Sequence, residues 1–282
     1  MPPLLVTGAT GRVGRLLCAA LTGRVTLLRQ TRHEPVPPGW MLWRPGMGFP
    51  ATAGGGVLLH LAGPTPSGQP GSGPWEDHRR LALAAVRAAR DARMAHALVA
   101  SSAAIYGPVT APAREDDPPA PHSDYARAKL EMERAVADID GIGVTFLRIG
   151  NVAGTDLLMR NALRATPAAP LMLDRFPRAP RRAYIGPGTL AEVILTLAAK
   201  APELPQVLNI AAPGGGVGMD ALLDALDNHG ITVPRKDRPA PPGALADLPL
   251  CTARLEAIHS FSEPEKTAQD MIAQWMHLRG RT

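Results

Sequence analysis

The sequence contains few cysteines and few aromatic residues. Only two of its 282 residues are cysteine, and Cys18 and Cys251 stand alone, without the spacing of metal ligands. We therefore predict no metal site and expect a reducing compartment. Aromatic residues make up 4% of the chain, so the core should consist mainly of Leu, Val, Ile and Ala.

Long apolar runs and blocks of like charge are also missing. No run approaches membrane-spanning length, and the first apolar strand begins too early to follow a signal peptide, so we expect a soluble cytoplasmic protein without a membrane partner. The net charge of +5 comes from scattered arginines rather than from a basic stripe with stacking aromatics. This argues against nucleic acid as a partner. A pocket for a phosphorylated small molecule or an arginine-rich coding bias accounts for the excess.

What the chain does contain is a regular alternation of strands and helices. Apolar runs predict strands at 4–6, 25–28, 41–43, 57–63, 97–100, 144–149 and 207–210. Helical spacing appears at 15–21, 75–93, 124–137, 189–199, 219–226 and 265–278, with loops at 64–74, 159–180 and 234–249. This order predicts an α/β fold, a Rossmann-type doubly wound parallel sheet whose ligands bind at the carboxyl ends of the strands.

A glycine-rich turn joins the first strand to the first helix. Its spacing is Gly-x-x-Gly-x-x-Gly rather than Gly-x-Gly-x-x-Gly. Glycines allow the backbone to approach a pyrophosphate, which then lies at the positive N-terminus of the helix. The predicted cofactor residues of this turn are Thr7, Gly8, Thr10, Gly11, Arg12, Val13 and Gly14. The alternative is an ordinary strand-to-helix turn.

The end of the second strand bears on the choice of dinucleotide. A carboxylate there binds the ribose hydroxyl of NAD, whereas an arginine suits the 2′-phosphate of NADP. The predicted strand ends at Arg29, and Arg32 follows closely. The sequence therefore favours NADP(H) as the cofactor, with NAD(H) as the alternative. If the arginines only face solvent, they carry no such preference.

A Tyr-x-x-x-Lys pair, Tyr125 and Lys129, lies midway along the chain. If Tyr125 opens a helix, Lys129 follows one turn later on the same face, and its ammonium should lower the pKa of the phenol. A tyrosine of that kind is usable as a general acid or base. Ser101 and Ser102 follow the strand at 97–100, where a hydroxyl can bind a substrate oxygen or merely cap the backbone. The alternative for the pair is two unrelated surface side chains.

Five motifs agree in order and spacing with the extended short-chain dehydrogenase/reductases, the NAD-dependent epimerase/dehydratase family. They are Thr7-Gly8-x-x-Gly11-x-x-Gly14, His60-Leu61-Ala62-Gly63, Ser101-Ser102-x-x-x-Tyr106-Gly107, Glu115-Asp116-x-Pro118-x-x-Pro121-x-Ser123-x-Tyr125-x-x-x-Lys129, and Leu147-Arg148-Ile149-Gly150-Asn151-Val152-x-Gly154. The chain resembles this family over nearly its whole length. The resemblance implies an NAD(P)-binding domain at 1–153, followed at 154–282 by a segment that completes the sheet and forms a small C-terminal substrate lobe.

The resemblance also implies roles for individual residues. Tyr125 would be the acid or base, Lys129 would tune it and hold the nicotinamide ribose, and Ser102 would bind the reacting oxygen. The implied cofactor site also includes Leu61, Ala62, Gly63, Tyr125 and Lys129, and the implied substrate site comprises Ser102, Ala103, Tyr125, Asn151 and Arg182. Asn151 is otherwise a turn residue and Arg182 a surface charge. Members of the family commonly form a homodimer through the helices at 75–93 and 124–137.

Several positions depart from the family pattern. His78 stands where asparagine is usual, Gly186 where histidine or asparagine is usual, and Thr189 where aspartate is usual. No aspartate accompanies Trp43-Arg44, where one normally meets the adenine. The segment 154–182 is also short for a lobe that encloses a nucleotide diphosphate-sugar.

Three functions fit this pattern. An epimerase or dehydratase would oxidise its substrate transiently and keep its cofactor, and Arg182 favours a nucleotide-sugar as that substrate. An NADPH-dependent reductase of a small carbonyl compound would release oxidised cofactor, and Arg29 and the short lobe favour it. A non-catalytic NADP-binding regulatory protein is the third alternative, although such proteins typically lack the Tyr or the Lys.

Overall fold

The computed structural model describes residues 1–65, 73–175, 178–241, 244 and 246–281. The predicted loop at 64–74 lies mostly outside these ranges. The described strands are β1 (Leu4–Thr7), β2 (Leu27–Thr31), β3 (Trp40–Leu42), β4 (Val57–His60), β5 (His96–Ser102), β6 (Gly143–Ile149), β7 (Asn151–Val152), β8 (Leu171–Arg175), β9 (Arg181–Arg182), β10 (Tyr184–Ile185), β11 (Val207–Ile210), β12 (Val217–Gly218), β13 (Arg235–Pro239) and β14 (Asp247–Leu248). The described α-helices are α1 (Arg12–Leu21), α2 (Asp77–Asp91), α3 (Asp124–Ala137), α4 (Leu157–Ala162), α5 (Pro187–Lys200), α6 (Met219–Asn228), α7 (Ala253–Glu256) and α8 (Ala268–Arg279).

Seven strands form one parallel sheet in the order β3-β2-β1-β4-β5-β6-β11. Leu4 of β1 pairs with Leu27 on one side and with Val57 on the other. The chain first moves outward from β1 to β3 and then continues with β4 on the other side of β1, so the strand order reverses there. Sheets of this kind bind ligands at the carboxyl ends of strands beside the reversal. The predicted Rossmann-type doubly wound fold is confirmed.

Helices cover both faces of the sheet. Leu4 and Val6 belong to a buried cluster that includes residues of α1 and α5. Leu5, which lies between them, belongs to a second cluster with residues of α2 and α3. Successive side chains of a strand point to opposite faces, so β1 is apolar throughout because both of its faces are covered.

A third buried cluster underlies the lobe. Helices α4, α6 and α8 contribute to it through Met159, Leu222 and Trp275, and Leu16 of α1 joins them. Short strands surround this cluster in three small sheets, β10-β7, β12-β9-β14 and β13-β8. The segment after residue 153 thus supplies both the lobe and, through α5 and β11, the last part of the main sheet. The division into domains at residue 153 stays a prediction.

The structure corrects two loop predictions. Residues 159–180 include part of α4 and all of β8, and residues 234–249 include β13 and β14; residues 176, 177, 242, 243 and 245 lie outside the described ranges. β13 pairs in parallel with β8 although its sequence is Arg-Lys-Asp-Arg-Pro and four of its five residues are exposed. Because neither face of β13 is buried, its sequence has no apolar alternation that could have predicted a strand.

Most other boundaries lie close to the predictions. α3 at 124–137 and β11 at 207–210 are as predicted, whereas β2 covers residues 27–31 rather than 25–28 and α2 begins at residue 77 rather than 75. The position of β2 follows from its register with β1, in which Val6 pairs with Arg29. None of the described helices is long and apolar enough to cross a membrane.

Candidate active site

The glycine turn brings β1 and α1 into close contact. Gly8 has φ +73°, a left-handed conformation that residues with side chains rarely adopt. A Cβ atom on Gly14 would lie 2.2 Å from the carbonyl oxygen of Gly8, so the first turn of α1 can approach the end of β1 only with glycine there. α1 begins after Gly11, and no side chain caps its first N–H groups. An uncapped helix start beside a close glycine turn fits the pyrophosphate of a dinucleotide.

The residues predicted after β4 lie against this turn. The N–H of Leu61 donates to the carbonyl of Thr7 at 3.0 Å. A Cβ atom on Gly8 would lie 2.6 Å from the backbone nitrogen of Ala62. The predicted cofactor residues at 7–14 and 61–62 are therefore neighbours in the fold, and their contacts with a cofactor stay a prediction.

Gln30, not Arg29, contacts the glycine turn. The side-chain oxygen of Gln30 accepts from the N–H of Gly8 at 3.0 Å, and its amide nitrogen donates to the carbonyl of Trp43 at 2.8 Å. Arg29 points to the opposite face of β2, where its Nη2 donates to the hydroxyl of Thr22 at 2.7 Å. The expectation that the strand ends at Arg29 is wrong, because β2 continues to Thr31. The residue next to the turn is thus a neutral amide rather than a carboxylate or an arginine.

Basic side chains lie just beyond the end of β2. The Nε of Arg32 donates to the Nε2 of His33 at 3.2 Å, and the Nε of Arg44 donates to the carbonyl of Arg32 at 3.0 Å. A carboxylate oxygen of Glu34 is 4.0 Å from the Arg44 guanidinium, so this basic cluster is partly balanced. The contact of Arg32 with a cofactor stays a prediction.

Ser102, Tyr125 and Lys129 come together at the carboxyl end of β5. Ser102 is the last residue of β5, and its hydroxyl lies close enough to the phenol of Tyr125 to lower the pKa of that phenol. Lys129 follows one turn after Tyr125 on α3 and is only 6% exposed. Its Nζ donates to the carbonyl of Ala100, in the same strand as Ser102, at 2.7 Å. These contacts bring a phenol, a hydroxyl and an amine to one strand end.

Local hydrogen bonds set the directions of these side chains. The hydroxyl of Ser123 accepts from the N–H of Ala126 at 3.2 Å and so caps the start of α3, which places Tyr125 in the first turn. The hydroxyl of Ser102 also accepts from the N–H of Ala104 at 3.2 Å, within a 3-10 turn at Ala103–Tyr106. Ser102 therefore caps the backbone and contacts Tyr125 at the same time.

Burial changes the acidity of both residues on α3. It raises the pKa of the Tyr125 phenol, and the hydrogen bond with Ser102 lowers that pKa only in part. This contradicts the expectation of a phenol pKa below its ordinary value, because burial disfavours the phenolate more strongly than Ser102 favours it. Burial also lowers the pKa of Lys129 to about 7, while the carboxylate of Glu133 favours its ammonium form. Lys129 can therefore gain or lose its proton near neutral pH.

Two further aromatic side chains pack against Tyr125. The rings of Trp75 and His78 each lie edge-on to the phenol with centroids 5.6 Å away, and they stack on each other at 6.2 Å. A Cβ atom on Gly63 would lie 2.4 Å from the Nδ1 of His78, so the glycine makes room for the imidazole. Burial lowers the pKa of His78 to about 2, which keeps the ring neutral. In the sequence, His78 stands out only because it departs from the family pattern. Its contact with Tyr125 depends on the packing of α2 against α3, which the sequence does not show.

Two other positions that depart from the family pattern, Gly186 and Thr189, both lie against Gln274. The N–H of Thr189 donates to the side-chain oxygen of Gln274 in α8 at 2.9 Å, and the Gln274 amide donates back to the Thr189 hydroxyl at 2.8 Å. A Cβ atom on Gly186 would lie 2.2 Å from the same oxygen. Gly186 and Thr189 thus accommodate α8, a contact at long sequence separation that no local pattern predicts.

A buried ion pair joins α3 to β6. Arg148 of β6 donates from Nη2 to a carboxylate oxygen of Glu133 at 2.9 Å, and both side chains are 6% exposed. The Nη1 of Arg148 donates to the hydroxyl of Tyr106 at 2.9 Å, and this hydroxyl donates to the side-chain oxygen of Asn209 at 2.7 Å. Since Glu133 lies one turn after Lys129, this network fixes the position of the helix that carries the catalytic candidates.

The predicted substrate residues Asn151 and Arg182 lie on the lobe side. The side chain of Asn151 forms a hydrogen bond with the phenol of Tyr184. The Nη1 of Arg182 donates to the carbonyls of Arg181 and Ala246, at 2.8 and 2.9 Å. Both side chains thus bond within the protein, and their contacts with a substrate stay predictions.

The sequence matches the family model for the NAD dependent epimerase/dehydratase family over residues 49–211, more than half of the chain. The chain belongs to this family. The resemblance found in the motifs is confirmed, and so is the expectation of an enzyme. A comparison with curated proteins finds no match.

Solved structures of related enzymes have the same fold. A UDP-glucose 4-epimerase from Thermus thermophilus in complex with NAD is 22% identical, with a TM-score of 0.75 over 97% of this chain and 99% of that one. A UDP-glucuronic acid 4-epimerase from Bacillus cereus, with UDP-glucuronic acid and NAD, is 16% identical, with a TM-score of 0.74 over 99% and 100%. An NAD-dependent NDP-hexosamine 5,6-dehydratase of tunicamycin biosynthesis is 18% identical, with a TM-score of 0.71 over 100% and 99%. At these identities the similarity establishes the fold.

Proposed function

We propose that this protein uses NADP(H) to transfer hydride at a hydroxyl or carbonyl carbon, with Tyr125 as the group that gives and takes the proton. The observation that carries the proposal is the meeting of Ser102, Tyr125 and Lys129 at the end of β5. The glycine turn at the end of β1, two strands away, fits a dinucleotide. When bound, the nicotinamide would supply or accept the hydride.

The proton step follows from the environment of the phenol. Because burial favours the neutral phenol, Tyr125 keeps its proton until a partner accepts it or a nearby positive charge stabilises the phenolate. Lys129 offers such a charge when it is protonated, and its lowered pKa lets it exchange a proton with its surroundings. The hydroxyl of Ser102 is within hydrogen-bonding reach of the phenol and can hold the same substrate oxygen.

The similar structures support a nucleotide-sugar as the substrate. The two epimerases are named as complexes with NAD, and one of them with UDP-glucuronic acid as well, which also makes NAD(H) the alternative cofactor. Both chains are covered almost completely in each comparison, which weakens the argument from a short lobe. The preference for NADP(H) is supported by the neutral Gln30 beside the glycine turn and by the basic cluster around Arg32.

The second candidate is an NADPH-dependent reductase of a small carbonyl compound. Position 30 holds a neutral glutamine instead of an acidic residue, and this favours a reductase. A preference for NADPH suits net reduction better than transient oxidation. The two candidates differ in the fate of the cofactor. A dinucleotide that co-purifies and survives dialysis supports an epimerase or dehydratase, and one that is released oxidised after each turnover supports a reductase.

The test combines a substrate panel with matched serine variants. Purified protein is incubated with UDP-glucose, UDP-glucuronic acid and UDP-N-acetylglucosamine and with either dinucleotide, and products are identified by NMR. We expect Tyr125→Phe to abolish turnover while its affinity for NADPH stays within twofold. Ser102→Ala should lose at least about a hundredfold in kcat, and Ser101→Ala, which alters the neighbouring buried hydroxyl, should keep its rate.

Two results would contradict the proposal. Turnover that survives in Tyr125→Phe would remove the phenol from the reaction, and equal losses in the two serine variants would remove the specific role of Ser102. If wild-type protein converts no member of the panel, the nucleotide-sugar part is wrong. The reductase candidate is then examined by NADPH oxidation with aldehydes and ketones.

A further inference from the structure

Three rings meet where helices α2 and α3 begin. Trp75 lies just before α2, His78 lies in the first turn of α2, and Tyr125 lies in the first turn of α3. The rings of Trp75 and His78 stack with their centroids 6.2 Å apart and their planes only 7° apart. Each of them lies edge-on to the phenol ring, at 63° and 67°, with centroids 5.6 Å away. Tyr125 therefore rests against the Trp75–His78 stack, which belongs to the start of another helix.

The imidazole of this stack is enclosed by the protein. His78 is 1% exposed. Gly63, just after β4, gives it room, since a Cβ atom there would lie 2.4 Å from the Nδ1 of His78. Neither ring nitrogen makes a hydrogen bond of normal geometry within the part of the chain that the structure describes. The contacts of His78 on this side are thus ring packing rather than hydrogen bonding.

A neutral ring suits this packing. Burial lowers the pKa of His78 to about 2, so the imidazole carries no charge at neutral pH. Stacked and edge-on arrangements are the favoured geometries of aromatic pairs. Asparagine, the usual residue at position 78 in the family, has a short amide in place of a ring and cannot make these contacts. Histidine at this position therefore adds an aromatic contact with the phenol.

We propose that the Trp75–His78 stack positions the Tyr125 phenol, holding its ring in one place and keeping water from the side that faces α2. His78 and Trp75 are then positioning residues, because they act through Tyr125. A ring held in this way presents its hydroxyl to the same point beside Ser102 in every turnover. The consequence for turnover rests on the proposed function, whereas the packing of the three rings does not.

Fluorine NMR can report on the surroundings of Tyr125 without any substrate. The chain has three tyrosines, so protein labelled with 3-fluorotyrosine gives a simple spectrum. The Tyr125 signal is the one that disappears in Tyr125→Phe, and its shift is followed as the pH is raised. The titratable groups near the phenol are His78 on α2, with a pKa of about 2, and Lys129 on α3, with a pKa of about 7. Both lie below the phenol, whose pKa burial raises.

The His78 variants separate the ring from its nitrogens. In His78→Asn, the space left by the ring admits water beside a polar amide. The titration midpoint of Tyr125 should then fall by at least about half a pH unit, because water stabilises the phenolate. His78→Phe keeps a ring without nitrogens and should titrate as wild type does. His96→Gln is the matched control, since it removes a buried imidazole at the opposite end of β5 from Ser102 and should leave the midpoint unchanged.

Turnover gives a second readout of the same contact. With a substrate that the wild-type protein converts, His78→Asn should lose at least about tenfold in kcat while KM stays within twofold, because the phenol is misplaced but the substrate still binds. His78→Phe should recover most of the rate. If wild-type protein converts no substrate, the proposed function fails, and the fluorine titration decides this proposal alone.

Two results would overturn the proposal. One is a His78→Asn protein whose Tyr125 titrates as in wild type. The other is a His78→Phe protein that behaves like His78→Asn, which would assign the role to the ring nitrogens. If the His78 variants do not fold, Trp75→Phe and Trp75→Leu make the same comparison on the other ring of the stack. We expect a lower midpoint in Trp75→Leu alone, and equal midpoints in these two proteins contradict the proposal.

Discussion

The side chains around the end of β2 carry the proposed preference for NADP(H). Gln30 contacts the backbone of the glycine turn and brings no negative charge to it. Arg32 lies two residues further, in a basic cluster with His33 and Arg44. A 2′-phosphate would therefore meet donors here and no carboxylate at the turn itself.

Arg32→Ala should reduce the preference for NADPH over NADH. Losing a charged hydrogen bond costs about 1.5–3 kcal/mol, so the affinity for NADPH should fall at least about tenfold while the affinity for NADH stays the same. Both are measured by fluorescence titration. Arg29→Ala is the matched control and should change neither, because Arg29 bonds to Thr22 on the other face of β2. If only Arg29→Ala loses affinity for NADPH, the 2′-phosphate is bound by Arg29, as the sequence had suggested.

The surroundings of Arg29 and Arg32 differ in a way that the sequence alone did not predict. The composition of the segment showed that arginines were close to the cofactor turn. Whether Arg29 or Gln30 faces the turn depends on the register of β2 with β1, and a shift of one residue exchanges the two faces of a strand. The motif residues Ser102, Tyr125 and Lys129 did not depend on such a register, since one lies at a strand end and two share a helix face.

At the scale of elements, α3 depends on a buried ion pair. Glu133 and Arg148 form it one turn beyond Lys129. Glu133→Ala would leave the Arg148 charge buried and unpaired, and breaking such a pair typically costs about 3–5 kcal/mol. We expect a loss of that size in the free energy of unfolding measured with urea. Glu131→Ala, at an exposed position of the same helix, should change it by less than about 0.5 kcal/mol. Similar losses in both variants would contradict the account.

The contact of α1 with β1 makes a second prediction for an element. Gly14→Ala places a Cβ atom 2.2 Å from the carbonyl oxygen of Gly8, and backbone atoms cannot yield cheaply. We expect a loss of about 3 kcal/mol in stability and of NADPH binding. Gly48→Ala is the control, because nothing lies within 4 Å of its added Cβ. Unchanged NADPH binding by a folded Gly14→Ala protein would mean that the turn is not the cofactor site.

Elements with a buried face were predictable, and elements without one were not. α3 combines a serine cap, a Tyr-x-x-x-Lys face and apolar spacing, and its bounds agree with the prediction at both ends. β13 has charged residues at most positions and forms only because β8 offers a partner. Pairing between distant segments of the lobe leaves no local pattern in either strand.

At the scale of the whole molecule, buried histidines set the response to acid. His60, His78 and His96 are each 1% exposed, and burial, the largest cause for each, lowers their pKa values to about 3, 2 and 4. The unfolded chain binds protons at these sites below about pH 6.5, whereas the folded protein does not. Stability should therefore fall as the pH drops from 6.5, with a slope of up to about 4 kcal/mol per pH unit near pH 5 for three protons.

His96→Gln tests this slope away from the catalytic residues. The histidine bonds to the hydroxyl of Thr145 at 2.9 Å, and glutamine can keep that bond without titrating. Urea unfolding between pH 4.5 and 6.5 should show a slope about one third smaller than in wild type. An identical slope in both proteins would mean that His96 is not held neutral in the fold.

The overall architecture followed from the alternation of strands and helices, because each strand of a covered parallel sheet is apolar on both faces. The side chains that pack against the active-site residues could not be predicted from this alternation. The approach of His78 to Tyr125 and of Gln274 to Thr189 joins residues that are far apart in the chain. The implied homodimer stays a prediction, and arginines such as Arg79, Arg87 and Arg127 are exposed on the two helices concerned.

The central claim is that a nicotinamide dinucleotide binds along the glycine turn and reaches Lys129 beside Tyr125. The most direct test is the dissociation constant of NADPH for wild type, Lys129→Met and Lys200→Met, where Lys200 is an exposed lysine at the end of α5. We predict that wild type and Lys200→Met bind alike and that Lys129→Met binds at least about tenfold more weakly, as expected for a lost charged hydrogen bond. Equal affinities in all three proteins, or no binding of NADPH or NADH by wild type, would contradict the claim.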